Sequence, residues 1–241
     1  MNKLKSLLFK QFYKPSLVSF CINPFLWGRS AIYLCVKKYA HHISGKTLDV
    51  GSGSKPYKEL FKNVTQYIGM DIEVSGHEHS KSEIDVYYDG KTFPFENNTI
   101  DSLVFFEVLE HVFNPDQFLS EIARVVKPGG KCVVTIPFIW GEHEQPYDFA
   151  RYSSFGLKHL FDGHDLEIVE HKKYLADLRI FSLLINSYIY NICKKYLPGF
   201  IAWIVILPFS FINNILGLIL SIFPKNEEMY FGNIYVLKNK K

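Results

Sequence analysis

Between residues 44 and 172 the chain alternates short apolar runs with stretches of helical spacing. Thr47 to Val50, Gln66 to Asp71, Ile84 to Tyr88, Ile100 to Phe106 and Lys131 to Ile136 collect branched and aromatic residues without a 3.6-residue period, as buried strands do. From Pro115 onward, Phe118, Leu119, Ile122, Val125 and Val126 recur on one helical face, and Pro128-Gly129-Gly130 ends that helix. Further helices are expected over Ser30 to Ala40 and from Pro56 to about Asn63. Strands separated by helices predict a parallel sheet.

The stretch TLDVGSGSKPY at 47 to 57 carries the first candidate chemistry. A buried strand ends at Val50, Gly51-Ser52-Gly53-Ser54 turns the chain without side-chain bulk, and Pro56 suits the first position of a helix. Such a bend lets a ligand reach main-chain N–H groups. About twenty residues on, Asp71 closes the next apolar run, where a carboxylate can hold ribose hydroxyls. The third glycine of a dinucleotide fingerprint is missing, its place taken by Pro56. Asp49, just before the bend, would repel a pyrophosphate and attract a methionyl ammonium. The charge pattern therefore favours S-adenosylmethionine over a dinucleotide.

LDVGSG at 48 to 53, YIGMDI at 67 to 72, FPF at 93 to 95, IDSLVFFEVLEHV and EIARVVKPGGKCVVTIPF follow in this order. Together they resemble the successive motifs of class I S-adenosylmethionine-dependent methyltransferases, of the type 11 group, over about residues 45 to 172. The resemblance implies an α/β fold with a Rossmann-like, doubly wound, seven-stranded sheet. Its sixth strand, about Leu166 to His171, pairs with an antiparallel last strand, Met229 to Leu237. It places Asp49, Gly51, Ser52 and Gly53 around the methionine part of the cofactor and Asp71 with Ile72 at the ribose. Asp89 and Gly90 fall toward the adenine, and Glu107 at the cofactor-facing wall. Where many relatives carry a further glycine, this sequence has Lys55 followed by Pro56.

If the acceptor is a hydroxyl, a general base with a pKa near neutrality helps, and His111 and His143 follow strand ends on the ligand side. Either is also open to a structural reading, His111 first of all as a hydrogen-bond partner of the neighbouring loop. His143 lies in PFIWGEHEQPYDFARYSSFGLKHLF (137 to 161), a polar group among aromatics suited to an acceptor pocket, in which Asp148 is expected to pair with Arg151 and Ser153 to cap a helix over Phe155 to Phe161. No metal is expected, since His77-Glu78-His79 is a short triplet in a polar loop.

Composition adds location. The chain has 241 residues, 48% hydrophobic and 21% charged, enough for one α/β domain with an extension, and its net charge of +3 selects no partner. Lys3, Lys5, Lys10, Lys14, Arg29, Lys37, Lys38 and Lys46 all precede the first acid, Asp49. With Leu7, Leu8, Phe9, Phe12 and Trp27 among them, residues 1 to 44 form a basic helical segment that fits either an anionic membrane surface or a helical cap over the cofactor. Lys10 and Lys14 interrupt any secretory apolar core, and scattered Cys21, Cys35, Cys132 and Cys193 fit a reducing cytoplasm.

From Tyr196 to Pro224 there is no charged residue. As one helix this would reach about 43 Å, beyond the roughly 30 Å core of a bilayer. A single crossing would separate the last strand from its sheet, so residues 177 to 224 are expected to be an insertion between strands 6 and 7. Pro208 and Asn213-Asn214 are its expected break points, giving a hairpin in or on the cytoplasmic leaflet, anchored by Lys194, Lys195 and Lys225. The soluble alternative is packing in a dimer interface or over the active site. Residues 45 to 176 and 225 to 241 then form the methyltransferase domain. The expected acceptor is a small molecule, a glycan or a lipid-linked group, with quinone or isoprenoid lipid methylation and a noncatalytic cofactor-binding or scaffold protein as alternatives. Nucleic acid is not an expected partner, because the basic residues interleave with apolar ones.

Overall fold

The computed structural model describes residues 11–73 and 83–241. Lys3, Lys5, Leu7, Leu8, Phe9, Lys10 and the His77-Glu78-His79 triplet lie outside the described residues. The chain forms two compact units, one of residues 36–172 and 232–241, the other of residues 1–35 and 173–231. Helices α1 (Leu17–Ile22), α2 (Leu26–Tyr39), α3 (Pro115–Val125), α4 (Ser154–Asp162), α5 (Arg179–Tyr196) and α6 (Gly199–Leu220) accompany seven strands. These are β1 (Ser44–Val50), β2 (Asn63–Ile72), β3 (Val86–Tyr88), β4 (Ile100–Phe106), β5 (Val126–Pro137), β6 (Leu166–Tyr174) and β7 (Gly232–Asn239).

The strands form one sheet in the order β3-β2-β1-β4-β5-β7-β6. β1 pairs in parallel with β2 and β4, and β7 runs antiparallel to β5, matching Lys131 to Lys238 and Pro137 to Gly232. This is the Rossmann-like sheet with a reversed last strand. The chain moves outward from β1 to β3 and returns through β4, so a crevice is expected outside the carboxyl ends of β1 and β4. The core sits where sheet residues Leu48, Val50, Leu103, Phe105 and Val134 meet Leu119 and Ile122 of α3 and Phe161 of α4. Asn114 starts α3 by accepting from the Gln117 N–H, with Pro115 at the first helical position, and Ser153 caps α4 through the Gly156 N–H.

Several boundaries differ from the sequence expectation. No α-helix follows Pro56: a single 3₁₀ turn, Lys58–Leu60, leads into β2, which begins at Asn63. Tyr57 and Phe61, on either side of that turn, are buried and both rings pack on Phe106, at 5.1 and 6.3 Å between centroids. β5 starts at Val126, and Pro128-Gly129-Gly130 lies within the strand, Gly129 taking φ +76° and the register against β4 shifting there. α2 starts four residues before the expected Ser30, and β6 extends to Tyr174.

In the other unit α5 and α6 form a helical hairpin whose turn is at Leu197-Pro198, not at Pro208 or Asn213-Asn214. Pro208 lies inside α6, which continues through it. The two asparagines do not break the helix because their side chains bond across to its neighbours. Asn213 Nδ2 donates to the Ser182 carbonyl (2.7 Å) and to Asn186 Oδ1 (2.8 Å), while Asn214 Oδ1 accepts from Asn186 Nδ2 (3.1 Å). Asn214 Nδ2 reaches the carbonyls of Phe20 and Asn23 at the end of α1. At Gly217 a Cβ would stand 2.4 Å from Trp27 Nε1, so only glycine admits that close approach. α6 is uncharged and long and apolar enough to cross a membrane, and Phe200, Ile204, Ile212 and Ile222 are each more than 60% exposed.

Replacing Asn214 with alanine would strand the Asn186 amide and two carbonyls. The expected result is a loss of about 1–3 kcal/mol in denaturant unfolding, against less than about 0.5 kcal/mol for the exposed Asn191→Ala.

Candidate functional site

The bend after β1 is built from main-chain hydrogen bonds. The N–H groups of Gly51 and Ser52 both donate to the Met70 carbonyl, at 2.8 and 3.2 Å, which welds the bend to the end of β2. The Gly53 N–H donates to Asp71 Oδ2 (3.1 Å), and the Ile72 N–H fixes Oδ1 (2.9 Å). These donors are therefore engaged within the protein and no helix N-terminus stands behind them, contrary to the expectation of free N–H groups. Gly51 (φ +67°) admits Val108, whose Cγ2 would stand 2.5 Å from a Cβ there. At Gly53 (φ +46°) no atom of the described residues lies within 4 Å of a Cβ position, so its face is open among them.

Lys55 replaces a glycine by taking the glycine's conformation, φ +50°. Its stem crosses Gly69, where a Cβ would lie 2.3 Å from Lys55 Cε. Nζ then pairs with Asp85 Oδ2 at 2.6 Å, and the Gly69 N–H donates to the same oxygen at 2.7 Å. The side chain is thus tied down beside β2.

Asp49 is buried, and its Oδ2 accepts from the Tyr67 hydroxyl at 2.7 Å. Burial pushes its carboxyl up to about 7; the Tyr67 hydrogen bond opposes this, and nearby Asp71 adds to it. Asp89 follows β3 and closes its own turn, Oδ1 accepting from the N–H groups of Lys91 and Thr92, while at Gly90 (φ +77°) a Cβ would stand 3.7 Å from Ile72 Cγ2. Asp49, Gly51, Ser52, Gly53, Asp71, Ile72, Asp89, Gly90 and Glu107 thus follow or end four neighbouring strands, on the carboxyl edge of the sheet. Two features suit a polar, cationic guest: the buried Ser52 hydroxyl, which has no partner among the described residues, and a carboxyl at Asp49 that a nearby positive charge would ionise.

Beyond β4, Glu107 takes φ +56° and the turn Leu109–His111 follows. The structure brings His111 and His143 together, Nε2 to Nε2 at 3.2 Å. The loop holding His143 is fixed by Asp148, which accepts from the His143 N–H and pairs with both terminal nitrogens of Arg151 at 2.6 and 2.7 Å. Partial burial of Asp148 is outweighed by these bonds, which hold its carboxyl down at about 2. Asp148, Arg151 and Ser153 are therefore structural. Desolvation and His111 lower the His143 pKa, so that ring is neutral at pH 7. Beneath the pair lies Glu110, fully buried, its carboxyl held well above the usual range by burial and by Glu107. The sequence reading takes Glu107 and His111 from this motif and passes over Glu110, although two carboxylates within four residues of one strand end are a signal of their own. It also passes over Tyr67 and the Lys55–Asp85 pair, which no local pattern announces.

Residues 48–134 match a family model described as a methyltransferase domain. Over 107 residues the chain is 29% identical to a Mycolicibacterium smegmatis protein described as a probable S-adenosylmethionine-dependent methyltransferase, covering 42% of each. It is 28% identical over 174 residues to the ubiquinone/menaquinone biosynthesis C-methyltransferase UbiE of Pseudoalteromonas translucida, covering 67% of each. Among solved structures, phosphoethanolamine N-methyltransferase 2 of Haemonchus contortus, in complex with S-adenosyl-L-methionine, superposes with a TM-score of 0.56 at 15% identity, covering 91% of this chain and 55% of that one. The chain thus spans less than half of the first of these relatives and two thirds of the second.

Asp49 gives a pH signature. Its folded pKa of about 7 lies above the ordinary 3.8, so its contribution to stability is complete below about pH 4 and is lost as pH rises through about 7. Asp49→Asn mimics the protonated form. Ligand-free Asp49→Asn protein should exceed wild type by about 4 kcal/mol at pH 8, with the difference closing toward pH 4, as read by urea unfolding across pH.

Proposed function

We propose that this chain, which belongs through residues 48–134 to the class I S-adenosylmethionine-dependent methyltransferases, transfers a methyl group to a hydroxyl of a small-molecule, glycan or lipid-linked acceptor. The observation that carries the reading is the open Gly53 face beside an Asp71 carboxylate oriented by two main-chain N–H groups. S-adenosylmethionine, when bound, supplies a sulfonium-activated methyl group, so the protein's task is alignment and exclusion of water.

The chain's own residues divide that task. Asp71 keeps lone pairs for ribose hydroxyls, since each carboxylate oxygen accepts more than one hydrogen bond. Asp49, buried and near its midpoint at neutral pH, ionises toward the methionyl ammonium. Ser52 offers its unpartnered hydroxyl, Ile72 and Gly90 supply apolar contact, and Asp89 with Glu107 completes the polar edge. His111 and His143, whose Nε2 atoms meet at 3.2 Å, are assigned the uptake of the acceptor's proton. Methylation of a quinone or other isoprenoid lipid is the second reading, favoured by the similarity to UbiE over two thirds of both chains.

Residues 177–224 are proposed to attach the enzyme to the cytoplasmic face of a membrane, with the basic residues before Lys46 adding electrostatic attraction. Support comes from the uncharged α6 with its exposed Phe200, Ile204 and Ile212, and from Lys194, Lys195 and Lys225 at the ends of the apolar stretch. An apolar stretch of this size exposed on a monomer marks an interaction surface.

Calorimetric titration of S-adenosylmethionine should show binding weakened at least tenfold by Asp71→Ala; equal affinity would remove Asp71 from the site. In flotation with vesicles of anionic and zwitterionic lipid, full-length protein should float and the double variant Ile204→Asp, Ile212→Asp should remain in the dense fraction. Wild type staying there as well would overturn the membrane assignment.

A further inference from the structure

We propose that Glu110, His111 and His143 hold a divalent first-row metal ion, Zn²⁺ being the ion that their donor set suits. The ligand atoms of these three side chains all lie within 4.8 Å of one another. Glu110 is completely buried, and among the described residues neither of its carboxylate oxygens has a hydrogen-bond partner; His111 Nε2 stands 3.8 Å from Oε1. A carboxylate taken out of water with both oxygens unpartnered is costly, and a cation is the partner that removes the cost.

The two imidazoles point the same way. His111 Nδ1 stands 2.6 Å from the Tyr147 carbonyl, which can only accept, so Nδ1 carries the hydrogen and Nε2 presents a lone pair. Around His143 Nδ1 the Gly141 carbonyl (3.2 Å) and Asp148 Oδ2 (3.3 Å) are both nearer than the donor Arg151 Nη2 (3.4 Å), so this hydrogen too is assigned to Nδ1. Two unprotonated Nε2 atoms then face each other at 3.2 Å. Lone pairs that close repel unless a positive centre sits between them. Two nitrogens bound at 2.0–2.1 Å with tetrahedral angles would be about 3.3 Å apart, close to the spacing found. Carbonyls and carboxylates on the far ring nitrogen are also what fixes metal-ligating histidines.

The supports are main-chain bonds. The Phe149 and Ala150 N–H groups donate to the Glu110 carbonyl, at 2.8 and 3.3 Å, tying the His143 loop to the turn that carries Glu110 and His111. Glu144 Oε1, 3.7 Å from His111 Nε2, lies within reach as a further oxygen ligand. Three protein ligands leave a position open, as in sites where a metal binds a substrate. The metal's role rests on the methyltransferase reading: an oxygen of the acceptor would take the open position, and with the metal bound the two imidazoles would be its ligands in place of the bases of that reading. The binding itself does not rest on it.

Full-length protein stripped with a chelator would be titrated with Zn²⁺ by calorimetry and with Co²⁺ by visible absorption. Wild type should bind one tight equivalent and develop the intense band of four-coordinate cobalt. His143→Ala, a change at a partly exposed side chain, and Glu110→Gln, checked by thermal melting, should each weaken binding at least tenfold. Wild type that binds neither ion more tightly than the folded His143→Ala protein overturns the inference and leaves a shared proton between the rings. S-adenosylmethionine binding, read in the same samples, separates the two proposals: cofactor binding without metal sinks the metal site alone, whereas tight metal without cofactor supports the site and counts against the methyltransferase reading.

Discussion

The Met70 carbonyl governs the site. It accepts from both Gly51 and Ser52, so the path of the chain after β1 is set by where β2 ends, and that end is set by the pairing of Val50 with Met70. Asp71 follows Met70 and reaches back to Gly53, making bend and carboxylate one rigid piece. A one-residue slip between β1 and β2 would turn Met70 out of the core and move Asp71 to the other face of the sheet. The buried residues of β1 therefore hold the ligand-side geometry as well as the core.

The sheet was legible because its strands announce themselves through apolar runs and its motifs come in a fixed order; the reversed last strand came from the resemblance. Less legible was anything decided by side chains meeting across the fold. Where the sequence predicts a helix after Pro56, the chain makes one 3₁₀ turn between Tyr57 and Phe61, both packed on Phe106, a residue 45 positions beyond Phe61. Asn213 and Asn214 look like helix breakers locally, and they act as cross-links because Asn186 and Ser182 lie opposite. Lys55 seemed to disturb the glycine-lined bend, yet its left-handed backbone and the missing side chain of Gly69 leave the bend intact.

The candidate site divides along the same line. Asp49, Gly51, Gly53 and Asp71 could be chosen from the sequence because each stands at a strand end. Glu110 could not be weighed that way, since its significance lies in complete burial without a partner and in a histidine 33 residues on that folds over it. Asp148 and Arg151 show the converse: a conspicuous polar pair that serves to fix the loop carrying His143.

The asparagine ladder of the helical hairpin closes upon itself: amide groups of Asn186, Asn213 and Asn214 find acceptors on α5, α6 or the end of α1. The bonding of these three asparagines asks nothing of the surroundings, although the buried Ser210 hydroxyl and Trp27 Nε1 of the same unit have no hydrogen-bond partner among the described residues. Exchanging water for hydrocarbon around the two helices would therefore leave the asparagine bonds between them unbroken.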